Sequence, residues 1–147
     1  MIEELFVYTV LLSVELVSKS EYSKHLDALF MEAPDNDLLL ELQWSLSDTQ
    51  KTISTIRHYC DYHHIVDNDV FGKFLCQKLS EIYFRAEISI EEFGSKARRI
   101  WRQLPSTMYN IEPFWVLSYA DDPLSWGDEK QAREIYEKMF RFYDENT

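Results

Sequence analysis

The side chains best suited to chemistry gather between positions 58 and 69: His58, Cys60, Asp61, His63, His64, Asp67 and Asp69. Imidazole, thiolate and carboxylate are all metal ligands, and zinc takes four of them tetrahedrally, usually as Cys or His pairs at short fixed spacing. This stretch holds a single Cys, and Cys60 and His63 fall on one helical face with Ile53 and Ile56. The spacing therefore predicts a buried small hydrophobe, a satisfied core histidine and a polar helix end, with no metal.

Other catalytic patterns are missing from the chain. A di-iron bundle needs Glu-x-x-His on facing helices, and the sequence has no Glu-x-x-His, no His-Glu-x-x-His and no Ser-x-x-Lys. Gly72, Gly94 and Gly127 stand too far apart to form a glycine-rich phosphate loop. Neither a Ser nor a Cys sits in a nucleophile signature. The sequence thus predicts no catalytic residue and no cofactor. A metal-dependent helical enzyme built on His58, His63 and His64, or a non-catalytic regulatory adaptor, stands as the alternative reading.

Lys96, Arg98, Arg99 and Arg102 make the one basic clump. Nucleic-acid binding needs a dominant basic surface, so these cations are expected to pair internally with acidic helices. The densest candidate for recognition is Ser118-Tyr119-Ala120-Asp121-Asp122-Pro123-Leu124-Ser125-Trp126-Gly127-Asp128-Glu129. Its candidate partner-binding residues are Tyr119, Asp121, Asp122, Trp126, Asp128 and Glu129. Aromatic anchors ringed by carboxylates suit a basic protein partner. The same residues also suit a turn followed by a helix start, where Asp128 and Glu129 complement the helix dipole.

Helical periodicity runs through the elements that must hold these residues. A first helix, 2–18, is apolar nearly all round and fits either a central core or a dimer seam. A second spans 21–33, and Asp35 or Asn36 caps a short third helix at 38–46. Ser47-Asp48-Thr49-Gln50 and Ser89-Ile90-Glu91-Glu92 are capping-box patterns for two further helices. Between them another helix opens at Asp67 or Asn68. The helix from residue 90 keeps Ile90, Phe93, Ala97, Ile100, Trp101 and Leu104 on one face until Pro105 stops it. Residues 106–127, with Pro113 and Pro123, show no long period and predict an irregular aromatic-rich segment. A last helix starts near Ser125, with Ser125-Trp126-Gly127-Asp128 as its box. The reading is an all-α bundle of six or seven helices in a single domain, 1–147.

The chain of 147 residues is 46% hydrophobic and 15% aromatic, with only three Gly and four Pro. That composition suits long helices and argues against disorder. The formal net charge is -11, distributed unevenly. Residues 1–50 carry two Lys and ten Asp or Glu, 51–102 nine basic and seven acidic residues, and 103–147 four and nine. Such a surface repels phosphate backbones and anionic lipid, so neither nucleic acid nor membrane is an expected partner. Two cysteines make no disulfide framework. Glu3 and Glu4 precede an apolar run too short to span a bilayer, unlike the cationic start of an export signal. A cytoplasmic setting is expected.

Glu-Pro-Phe-Trp at 112–115 and Tyr-Ala-Asp-Asp-Pro-Leu-Ser-Trp-Gly-Asp-Glu at 119–129, on an acidic helical chain of this length, resemble the immunity proteins of bacterial polymorphic toxin systems. The resemblance is to antitoxins paired with secreted LXG-type toxins. It implies a protein that binds and inhibits a cognate toxin domain, often a nuclease. Nuclease sites are basic because they hold phosphate, which an acidic inhibitor complements.

Overall fold

A computed structural model describes residues 2–63 and 65–145. Among these residues every regular element is helical, as the periodicity predicts: eight α-helices and two 3-10 helices, with no strand. The backbone groups into two compact units, residues 1–67 and 68–147.

The first unit contains α1 (Ile2–Ser13), α2 (Lys19–Glu32), α3 (Asp37–Trp44) and α4 (Thr49–His63). Leu5, Phe6, Val7, Val10 and Leu11 of α1 are fully buried, and the helix packs on α2 and α4. The apolar helix is therefore the core of this unit rather than a seam left for a second copy. It stops five residues earlier than its hydrophobicity suggests. Glu15 takes φ 61°, and the Glu15 and Leu16 amides donate to the Leu12 and Leu11 carbonyls. That is the C-terminal arrangement a glycine usually makes. The chain then restarts at once, because the Ser18 hydroxyl accepts from the Glu21 amide and caps α2.

Asn36 caps α3, its side-chain oxygen accepting from the Leu39 amide at 3.1 Å. Asp48, not Ser47, accepts from the third amide of α4, so this cap lies one residue beyond the expected box. Ser45 and Thr52 close the α3–α4 corner with a buried hydroxyl pair at 2.9 Å.

The second unit contains α5 (Asn68–Arg85), α6 (Ile90–Gln103), 3-10 helices at Phe114–Ser118 and Asp122–Trp126, α7 (Glu129–Phe140) and α8 (Phe142–Glu145). Ser89 caps α6 as the sequence predicts, accepting from the Glu92 amide at 3.1 Å. Phe93, Ala97, Ile100 and Leu104 are buried along its inner face. Tyr83, Phe93, Tyr136 and Phe140 meet around the α5–α7 packing with ring centroids 5.1–6.5 Å apart, edge-on or tilted except for the near-parallel Tyr136–Phe140 pair. Such contacts add to the area they bury. No helix among the described residues is long and apolar enough to cross a membrane.

Candidate functional site

The segment from Pro105 to Asp128 is the part of the second unit where surface aromatics concentrate. Pro105 ends α6, and a tight turn follows in which the Met108 amide donates to the Pro105 carbonyl. Trp101 Nε1 donates to the Tyr109 carbonyl at 3.0 Å, and the Tyr109 hydroxyl donates to the Arg102 carbonyl at 3.2 Å. The Glu112–Pro113 peptide is cis. The stretch that reads as irregular in the sequence is a run of turns up to Pro113 followed by two short 3-10 helices, which a 3.6-residue period does not detect. Met108, Phe114, Leu117 and Ala120 are all buried and root the segment in the unit. Burying side chains the size of Phe, Leu and Met gains roughly 1.5–3 kcal/mol each, enough to hold a chain with few long-range backbone hydrogen bonds.

Arg98 of α6 fastens the far end. One guanidinium nitrogen donates to Asp121 Oδ1 and to Asp122 Oδ1, each at 2.7 Å. The Arg98 side chain is 37% exposed, Asp121 19% and Asp122 52%. The hydrogen bonds, first to Asp121 and then to Asp122, hold the guanidinium's pKa above its ordinary value. Gly94 permits this approach: a Cβ there would stand 2.6 Å from Asp121 Cβ and 3.3 Å from the Tyr136 hydroxyl. Tyr136 is fully buried with no hydrogen-bond partner for its hydroxyl among the described residues, and burial pushes its pKa up. The basic clump of the sequence thus contributes the internal ion pair expected of it, through Arg98.

Each residue singled out in the sequence has a definite place. Asp121 and Asp122 are the acceptors of Arg98. Asp128 caps α7 by accepting from the Gln131 amide at 3.0 Å, and Glu129 pairs with Arg133 at 3.1 Å. Ser125 lies inside the second 3-10 helix and bonds the Asp122 carbonyl, so the predicted box start at Ser125 gives way to Asp128. Tyr119 is half-buried, its ring 5.4 Å from that of Trp115 and nearly perpendicular. Trp126 is 63% exposed and so is not a core residue. Asp121 and Asp122 tie the segment to α6 and Asp128 caps α7, while Trp115 and Trp126 are exposed.

Ile111 and Trp115, both exposed, also belong to this surface and lie outside the residues expected from the sequence. The signal was present: Ile111, Trp115 and Tyr119 recur every fourth residue, and the Trp115 amide donates to the Ile111 carbonyl at 3.0 Å. With Trp126, the exposed Ile111 and Trp115 and the half-buried Tyr119 give the segment a set of apolar and aromatic side chains at its surface. Fixed aromatic side chains lose little entropy on binding and are the residue types that dominate protein interfaces.

The polar cluster around residue 60 separates. Cys60 is buried as predicted, and burial pushes its thiol pKa up to about 12. His58 and His63 are exposed, against the expectation of a core histidine at 63; the His63 ring lies against Tyr59 and Tyr62 instead. The α4 stripe ends at Cys60, and the last turn of the helix points outward. His64 lies outside the described residues. Among the described residues, no three of His, Cys, Asp and Glu converge where a metal ion would sit.

A groove of about 560 Å³ runs between α5 and the α7–α8 end, lined by residues that include Lys73, Cys76, Phe140 and Tyr143. Cys76 is buried at its base, and its thiol faces the Met139 carbonyl at 3.8 Å. Burial pushes this thiol pKa up to about 12, the opposite of the shift that makes a cysteine nucleophilic.

No protein-family model, no curated protein and no solved structure matches the chain.

Proposed function

We propose that this is a cytoplasmic immunity protein that binds a basic toxin domain and holds it inactive. The observation that carries the reading is the segment 108–128. Buried apolar roots, the Arg98 ion pairs and the Asp128 cap fix its backbone, while Ile111, Trp115 and Trp126 are exposed. Exposing indole rings on a rigid backbone does nothing for folding and suits recognition.

Charge supports a basic partner. With net charge -11, the chain draws a cationic domain to it over a screening length of about 8–10 Å at ordinary salt. Within the segment, the half-exposed Asp122 and the exposed Glu129 can share their free oxygens with incoming Arg or Lys without abandoning Arg98 and Arg133. In this reading, Tyr119, Trp115 and Trp126 supply contact area, and the carboxylates set orientation and association rate. Inhibition is steric and electrostatic: the acidic protein covers a site built to hold phosphate. The resemblance of 112–115 and 119–129 to LXG-type antitoxins points the same way.

The test is co-expression. A toxin domain encoded beside this gene should arrest growth alone, and the wild-type chain should restore it. Trp115→Ala with Trp126→Ala should fold yet fail to restore growth. A double variant that rescues fully would remove this segment from the interface, and no rescue by the wild-type chain would sink the toxin reading.

A further inference from the structure

A second surface, on the first unit, has no role in the proposal above. Residues 25–50 hold six carboxylates and no Lys or Arg. On α3, Leu38, Leu39 and Leu42 face the core, while Asp37, Glu41 and Trp44 recur at i, i+4 and i+7 on the opposite face. Trp44 is 74% exposed, more than any other tryptophan in the chain. Leu40, half-buried, lies beside Trp44 along the same helix, and Met31 is exposed near the end of the packed neighbour α2.

The face is rigid. The Asn36 cap fixes the start of α3, Gln43 Nε2 donates to Asp27 Oδ1 of α2 at 2.8 Å, and the Ser45–Thr52 pair fixes its end. None of these contacts uses the side chains of Asp37, Glu41 or Trp44, which make no hydrogen bond, ion pair or ring contact among the described residues. Ala or Ser at position 44 would serve the helix as well.

We infer that the outer face of α3 is a docking surface for an arginine-bearing basic segment of a partner protein. Charge complementarity sets the sign of the occupant, because an apolar strip flanked by uncompensated carboxylates disfavours a neutral or acidic one. The spacing of Glu41 and Trp44 selects arginine over lysine. Residues three apart on a helix are surface neighbours, so one guanidinium can lie on the indole face and direct its N–H fork at the Glu41 carboxylate. A lysine ammonium offers a point charge without the planar fork. The inference rests on the proposed basic partner but places a separate contact on the other unit.

The experiment uses the full chain in ¹H–¹⁵N NMR, with the Trp44 indole signal assigned through Trp44→Phe. The probes are two blocked peptides, one with arginine at alternate positions among alanines and the other with lysine in its place. The arginine peptide should shift the Trp44 indole saturably and bind several-fold more tightly than the lysine peptide. Read at the backbone amides of α3, Trp44→Ala and Glu41→Gln should each weaken it at least about fivefold. An unmoved Trp44 indole, equal binding of both peptides by the wild-type chain, or undiminished arginine-peptide binding by Trp44→Ala overturns the inference. So does self-association in sedimentation that Trp44→Ala abolishes, which would assign the face to a second copy. A toxin domain that needs Trp126 but is indifferent to Trp44→Ala overturns this surface and leaves the immunity reading intact. Specific arginine-peptide binding by a chain that binds no toxin domain does the reverse.

Discussion

Replacing Asp121 tests whether the ion pair with Arg98 fixes the recognition segment. Asp121→Asn removes the charge from a 2.7 Å contact at a site where the Asp side chain is only 19% exposed. A hydrogen bond between charged groups contributes roughly 1.5–3 kcal/mol, but Arg98 is 37% exposed, and screening trims the loss toward about 1–1.5 kcal/mol. Asp122→Asn, at a carboxylate 52% exposed, should cost only about 0.5 kcal/mol. Reversing both to Lys puts two ammonium groups against a guanidinium, so the double variant should lose about 3 kcal/mol. The assay is urea unfolding of the single variants and of Arg98→Met combined with Asp121→Asn. The cycle should return a coupling of about 1 kcal/mol. For a chain of this size, each kcal/mol lowers Tm by roughly 3 °C. A loss under about 0.3 kcal/mol in Asp121→Asn with no measurable coupling would refute the reasoning; Asp121 and Asp122 would then be surface charges free for a partner.

Other perturbations read other parts of the account. Gly94→Ala should cost about 1–2 kcal/mol despite alanine's better helix propensity, because the added methyl meets Asp121 Cβ at 2.6 Å; calorimetry checks this, and a stabilised variant contradicts it. Ala86→Gly should gain about 1 kcal/mol, because exposed Ala86 ends α5 at φ 54°; urea unfolding reads the gain. Cys60 and Cys76 have folded pKa values raised to about 12, so their stabilising contribution is complete below the unfolded thiol value. It falls away as pH rises from about 9 toward 12, which alkaline titration of the unfolding midpoint should show, and both thiols should resist Ellman's reagent until the chain unfolds.

Much of the fold was legible because the helices are amphipathic. α6 is the clearest case: its cap, inner face and proline stop all stand where the spacing puts them. The errors have physical causes. α1 was read five residues too long because Val14 and Val17 are buried, although the chain has already turned at Glu15. Ser47 and Ser125 satisfy the capping pattern, but an aspartate one and three residues later takes the amide. The recognition segment was located by composition, and its division of labour was not. No pattern in 119–129 reveals that Asp121 and Asp122 face Arg98, which lies a loop and two turns away. Trp44 was hidden for a different reason. Trp44 sits in the short apolar third helix without a role assigned by pattern, and the helical phase set by Leu38, Leu39 and Leu42 turns it outward.

The most direct test of the central claim is titration calorimetry of the full chain against the toxin domain encoded beside its gene, with the toxin's catalytic residue silenced. The account predicts a one-to-one complex that weakens with added salt, and at least tenfold (about 1.4 kcal/mol) with Trp126→Ala, whose fold stability stays within about 0.5 kcal/mol of wild type. A toxin domain that does not bind, or one that binds Trp115→Ala/Trp126→Ala as tightly as wild type, would contradict it.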